Sequence, residues 1–211
     1  MKAEERVMGR KSNAKVYVFW DNSNIFIEGQ RYCSKVESTT VALDLRIEIL
    51  NLFKLAVADR EIAEAVCVGS VPPELEDIWK RLEAAGIHVE RFERGKGSGK
   101  EQGVDQCLQV HMLRALVDAT EPGIVVLLTG DGKGFEDGIG FHADLERMYK
   151  KGWGIEVLSW THSCSGKLKT WSDEVGVFLP LENWYKQITF TKKLRSSKTL
   201  DLTKRKKAVL Y

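Results

Sequence analysis

Cysteine is scarce in this sequence. The four present, Cys33, Cys67, Cys107 and Cys164, lie far apart and form no CxxC pair. That spacing excludes a zinc ribbon and a disulfide framework, and it points to a reducing, cytoplasmic setting. Long apolar runs are missing as well: none reaches the ~18 residues a membrane span needs. The opening stretch, MKAEERVMGRKSNAK, is polar and has no hydrophobic segment of the signal-peptide kind. Internal repeats are absent, which excludes a solenoid.

What remains is ordinary globular material. Hydrophobic residues make up 43% of 211 and charged residues 29%, enough for one real core and for solubility. The net charge of +2 hides an asymmetry. From Lys186 to Tyr211 nine Lys/Arg face one acid, Asp201, so that segment carries +8. Residues 1–185 hold 23 basic and 29 acidic residues, a balance of −6. An acidic body with a basic tail suits a protein that holds cations in a site and phosphates on an arm, although a solvated tail would look the same.

Short β-branched or aromatic runs mark strands at Val16–Trp20, Ala65–Gly69, His88–Phe92, Ile124–Thr129 and Ile155–Trp160, and more weakly at Val175–Leu179. Val16–Trp20 and Ile124–Thr129 are continuously apolar, as parallel strands covered on both faces must be. Helical periodicity falls between them. Leu43, Ile47, Leu50, Phe53, Leu55 and Val57 mark one segment, and Leu75, Ile78, Trp79 and Leu82 a second. Val104, Leu108, His111, Met112, Ala115 and Leu116 mark a third, and Phe141, Leu145, Met148 and Tyr149 a fourth. Strands alternating with helices predict a three-layer α/β fold around a mostly parallel sheet. The Gly/Lys-rich stretch 94–103 (RGKGSGKEQG) and the tail from about Lys192 read as low-complexity connections.

In such a sheet, ligands gather beyond the carboxyl ends of the strands. Val16–Trp20 runs into Asp21-Asn22-Ser23-Asn24, Ile124–Thr129 runs into Gly130-Asp131, and the third helix opens with Gly103-Val104-Asp105. Asp21, Asp105 and Asp131 are thereby expected at one sheet edge. Carboxylates brought together repel, so one must be protonated or a cation must sit among them. A hard ion such as Mg²⁺ or Mn²⁺ meets that need with oxygen ligands. Taken singly, Asp21 or Asp105 reads better as a helix N-cap. Asn24 could orient Asp21 or a water, or bond its own backbone in a turn.

These landmarks, in this order, resemble the NYN domain of the PIN-like nuclease superfamily. The resemblance starts at VFWDNSNIF, runs through VCVGSVPPELEDIWKRLEAAGIHVERF and GKEQGVDQCLQVHM, and ends at LLTGDG and GWGIEVLSW. It covers about residues 15–185, leaving 1–14 as a polar extension and 186–211 as a basic tail. It implies a PIN-like, Rossmann-like α/β fold and a metal-dependent endoribonuclease with metal-site roles for Asp21, Asp105 and Asp131 and a supporting role for Asn24. Two positions depart from the family pattern. Its usual Gly-Asp-x-Asp-Phe reads GDGKGFEDGIGFHADLER here, so Lys133 or Gly140 stands where a second acid belongs. Asp137 or Asp144 is then the candidate replacement, with Glu136 behind them. His111 stands where many members carry an acid on the face of Asp105. A His there could still bind a metal or contact phosphate, although a lone His on an apolar helix face is more often a satisfied core residue.

RNA binding would require cations near the acids. Arg94, Lys96 and Lys100 are candidates, as are Lys204, Arg205, Lys206 and Lys207 of the tail. Single-stranded RNA is the favoured target, because exposed bases can stack on aromatic rings, yet most of the six tryptophans read as core. Pairing of the chain with itself as a homodimer is left open. GDGKG lacks the P-loop spacing, and Asp21-Asn22-Ser23 lacks the Asp-x-Asp of haloacid-dehalogenase phosphatases. The rivals to a nuclease are a non-catalytic RNA-binding or scaffold domain with a degenerate acidic site, and a small-molecule phosphohydrolase with a closed pocket.

Overall fold

Two strands buried on both faces set the architecture. In the computed structural model, which describes residues 14–70, 76–92, 103–132, 135–194 and 196–211, β1 (Val16–Asp21) and β5 (Ile124–Leu128) lie side by side at the centre of a six-stranded parallel sheet. The strand order is β4-β3-β1-β5-β6-β7. β3 (Ile62–Ser70) and the edge strand β4 (His88–Phe92) flank β1, while β6 (Gly154–Ser159) and β7 (Val177–Pro180) extend the sheet beyond β5.

The alternation of side chains divides the core into two layers. Val16, Val18, Trp20, Ile124, Val126 and Leu128 face one layer, covered by α1 (Asn22–Val36), α2 (Thr39–Asp44), α3 (Ile49–Val57) and α4 (Glu76–Ala84). Phe19, Val125 and Leu127 face the other, covered by α5 (Val104–Asp118), α6 (Gly140–Lys150) and α7 (Gly166–Val175). The crossovers from β1 to β3 and β4 therefore use one face, and those from β4 onward use the other. With right-handed crossovers, the direction of winding reverses between β1 and β5. That reversal opens a crevice beyond their carboxyl ends, where the side chains just past β1 and β5 must gather.

The expected strands all form, with the last one starting at Val177 because Val175 closes α7. The expected helical segment from Leu43 to Val57 is corrected. It is broken by β2 (Leu45–Ile47), which pairs antiparallel with β8 (Thr189–Thr191), beyond the short α8 (Tyr185–Ile188). A local helical period loses here to pairing with a strand far along the chain. Helix α1 was not among the expected helical segments, and Gly29 stands within it. Gly29 is tolerated because Trp160 lies on it, and Trp160 Nε1 donates to the Ile25 carbonyl at 2.9 Å.

The tail is no solvated arm. Leu200, Leu202, Ala208 and Leu210 pack on the α1–α4 side of the core. Glu156, fully buried on β6, accepts from Arg60 at 2.6 and 2.9 Å, from Arg205 at 2.5 Å and from the Ala208 amide at 2.8 Å. Burial pushes the Glu156 carboxyl up, but the two guanidinium groups outweigh it and hold it below its ordinary value. Among the described residues no helix is long and apolar enough to cross a membrane, and the four cysteines are free.

Candidate active site

The last residue of β1, Asp21, does two things at once. As N-cap of α1 it accepts the Asn24 amide hydrogen on Oδ1 at 2.9 Å, satisfying a backbone donor that the helix start leaves open. On Oδ2 it accepts from the hydroxyl of Thr129, just past β5, at 3.3 Å. Asp21 is only 5% exposed and Thr129 is fully buried, so these bonds set the carboxylate's orientation in a dry setting. The negative charge reaches the next strand: burial first, and the Asp21 charge second, push the Cys67 thiol well above its ordinary value.

Asn24 neither turns onto its own backbone nor reaches Asp21 with its side chain. Its Oδ1 accepts from the Gly130 amide at 3.1 Å, tying the first turn of α1 to the segment just beyond β5. That segment leads to Asp131, whose amide donates to Thr129 Oγ1 at 3.4 Å. Thr129 thus sits between Asp21 and Asp131. Asp105 arrives from the opposite side, in the first turn of α5, where the helix dipole favours a negative charge. Gly103 makes that start possible: its φ is +96°, and a Cβ there would stand 3.1 Å from the Phe92 ring.

Asp21, Asn24 and Asp105 line one open cleft of about 710 Å³, together with Ser23, Ile27 and Gln106. Two of the three expected acids are thus brought together across a long stretch of chain. Asp131 is linked to Asp21 through Thr129 but is not among the described lining residues. The donors that the described lining offers are carboxylate, amide and hydroxyl oxygens, a set that fits a hard divalent ion.

Other expected participants stand elsewhere. Asp144 is buried on α6, accepts from Gln109 Nε2 at 2.7 Å and Arg147 at 2.9 Å, and is not among the described lining residues of the cleft. Asp137 is exposed in a 3-10 turn (Phe135–Asp137) and does not line the cleft. Arg205 is corrected from a phosphate contact to a core residue: it is buried, donating to Glu156 and to the Leu55 and Ala56 carbonyls. Lys204, Lys206 and Lys207 are exposed, but the tail packs on the sheet face opposite α5. Arg94, Lys96, Lys100 and Lys133 lie outside the described residues. Trp20, Trp79, Trp153, Trp160 and Trp184 are buried, as expected of core, and Trp171 is half-buried.

His111 is not a core histidine. Its Nδ1 lies 3.4 Å from Glu64 Oε1 and its Nε2 3.0 Å from Glu90 Oε1, and Glu90 also meets His88. The hydrogen bond from His111 holds the Glu90 carboxyl below its ordinary value. The sequence traces of this group are His111 itself and a His-x-Glu pair on a strand, which puts both side chains on one face.

No curated protein shows a significant match to the chain. The family model described as NYN domain matches residues 15–176. NYN domains are generally nucleases, which places the chain coarsely among RNA-related hydrolases. With a parallel α/β sheet and aspartates where its strands turn into helices, the chain belongs to the NYN domain family of the PIN-like nuclease superfamily.

Proposed function

We propose that the protein is a metal-dependent endoribonuclease acting on single-stranded RNA. The observation that supports this is the convergence of Asp21 and Asp105 on one open cleft at the point where the sheet reverses its winding. Asp21 and Asp105, with Asp131 beside them, would hold Mg²⁺ or Mn²⁺, and when bound such an ion supplies positive charge against the scissile phosphate. The chain's own contribution is placement. Thr129 fixes the rotamer of Asp21, Asn24 pins the Gly130 segment, and Gly103 sets the entry of α5. The stretch holding Arg94, Lys96 and Lys100 joins the end of β4 to the start of α5, and its described end at Gly103 lines the cleft. These cations are the proposed contacts to the RNA backbone. An open cleft suits a polymer better than the closed pocket of a small-molecule phosphohydrolase.

Cleavage of a single-stranded RNA in Mn²⁺ by the parent, Asp21→Asn and Asp105→Asn proteins is the test. Loss of cleavage in both variants, with the fold intact, is expected; variants that cut as fast as the parent would refute the assignment.

One observation favours a second reading, a non-catalytic RNA-binding domain: Asp144 is engaged by Arg147, leaving the replacement acid unfilled. That reading predicts RNA binding without cleavage and no rise in melting temperature with Mn²⁺.

A further inference from the structure

Edge strand β4 carries His88 and Glu90 two residues apart, on the face that α5 covers. From α5, His111 comes down onto them. One ligand atom from each of the three lies within 4.8 Å of the others. His111 Nε2 stands 3.0 Å from Glu90 Oε1, and His88 Nε2 stands 3.3 Å from the same oxygen. A tetrahedral zinc ion with bonds of about 2.0–2.1 Å sets its ligands roughly 3.3 Å apart, so the two separations from Glu90 match.

A second contact points the same way. His111 Nδ1 lies 3.4 Å from Glu64 Oε1 on the neighbouring strand β3. Neutral imidazole has one donor and one acceptor nitrogen. If Nδ1–H is given to Glu64, Nε2 faces the Glu90 oxygen, and that position takes either a second ring proton or a bound cation. A carboxylate behind the far nitrogen of a metal-bound histidine is the arrangement that fixes its tautomer and raises its basicity.

We propose that His88, Glu90 and His111 form a zinc-type site, separate from the aspartate cleft and independent of the nuclease reading. Two imidazoles and one carboxylate favour a borderline ion such as Zn²⁺ or Co²⁺ over Mg²⁺ or Mn²⁺. The His88 side chain is 60% exposed, so the ion can enter from solvent and water can fill the fourth position. The ion staples the edge strand to α5, the helix whose first turn carries Asp105.

The test is titration of the metal-stripped full chain with Zn²⁺ by calorimetry, with Co²⁺ absorption as reporter of tetrahedral geometry. One equivalent is expected to bind the parent and an Asp21→Asn/Asp105→Asn protein alike and to raise the melting temperature of both. His88→Ala and His111→Gln should each weaken binding by about tenfold or more, and Glu64→Gln by about 10–100-fold. The exposure of His88 makes His88→Ala a safe variant for folding. If the parent binds no Zn²⁺, or the histidine variants bind it as tightly as the parent, the group is only a set of imidazole–carboxylate ion pairs and the proposal fails.

Discussion

Thr129 gives its hydroxyl hydrogen to Asp21 across 3.3 Å, although the two residues are 108 apart in the chain. The same oxygen receives the amide of Asp131. One buried hydroxyl therefore coordinates two of the three aspartates expected at this edge. Thr129→Val keeps the volume and removes the bridge. It should cost about 1–3 kcal/mol, the penalty for leaving buried polar groups short of a partner. Cleavage should fall by about 10–100-fold, as when a ligand's supporting contact is lost. Thr129→Ser, which keeps the hydroxyl, should restore both. Denaturant midpoints and single-stranded RNA cleavage measured side by side check this.

Asp21 separates stability from activity. Asparagine caps helices about as well as aspartate, so Asp21→Asn should keep the melting temperature while activity is lost. Asp21→Ala should lose activity and about 1 kcal/mol of stability as well. Thermal melts of the two variants distinguish the roles.

Gly103 places Asp105. With φ at +96° and the Phe92 ring behind it, Gly103→Ala should cost about 1–2 kcal/mol and displace the first turn of α5. Activity should drop although no acid has been touched. The combined change in denaturant midpoint and cleavage rate is the readout.

Glu156 supports the tail. Glu156→Gln leaves Arg60 and Arg205 facing each other without their counter-charge and should cost about 3–5 kcal/mol. The pH dependence comes from the direction of its shift. The folded pKa is below the ordinary 4.5, so the unfolded chain takes up the proton more readily. The stabilisation is complete above about 4.5 and is lost as pH falls through the lower folded value. Urea midpoints from neutral to acid pH should fall in the parent at the acid end, and the fall should be shallower in Glu156→Gln.

The charged segments should behave differently from one another. Removing Lys96 or Lys100 should lower the slope of RNA affinity against salt by about 0.7 each, the value for single strands. Lys206→Ala and Lys207→Ala, on the face opposite α5, should leave the slope near that of the parent. Binding isotherms at several salt concentrations decide between loop and tail.

Much of this protein was legible in its residues. The unbroken apolar runs of β1 and β5 could only be central parallel strands, and the acids directly after them had to land at the carboxyl edge, because strand direction and side-chain alternation are local properties. The sequence could not show what distant partners decide. The Leu43–Val57 period was overruled by pairing of β2 with β8, and Arg205 looked like a surface cation until Glu156 supplied a buried counter-charge. His88, Glu90, Glu64 and His111 come from two adjacent strands and the helix laid across them, and no spacing along the chain encodes their meeting. Local sequence settles which way a strand runs and which residues stand at its end, while the neighbour that each polar side chain finds is settled only when the layers pack.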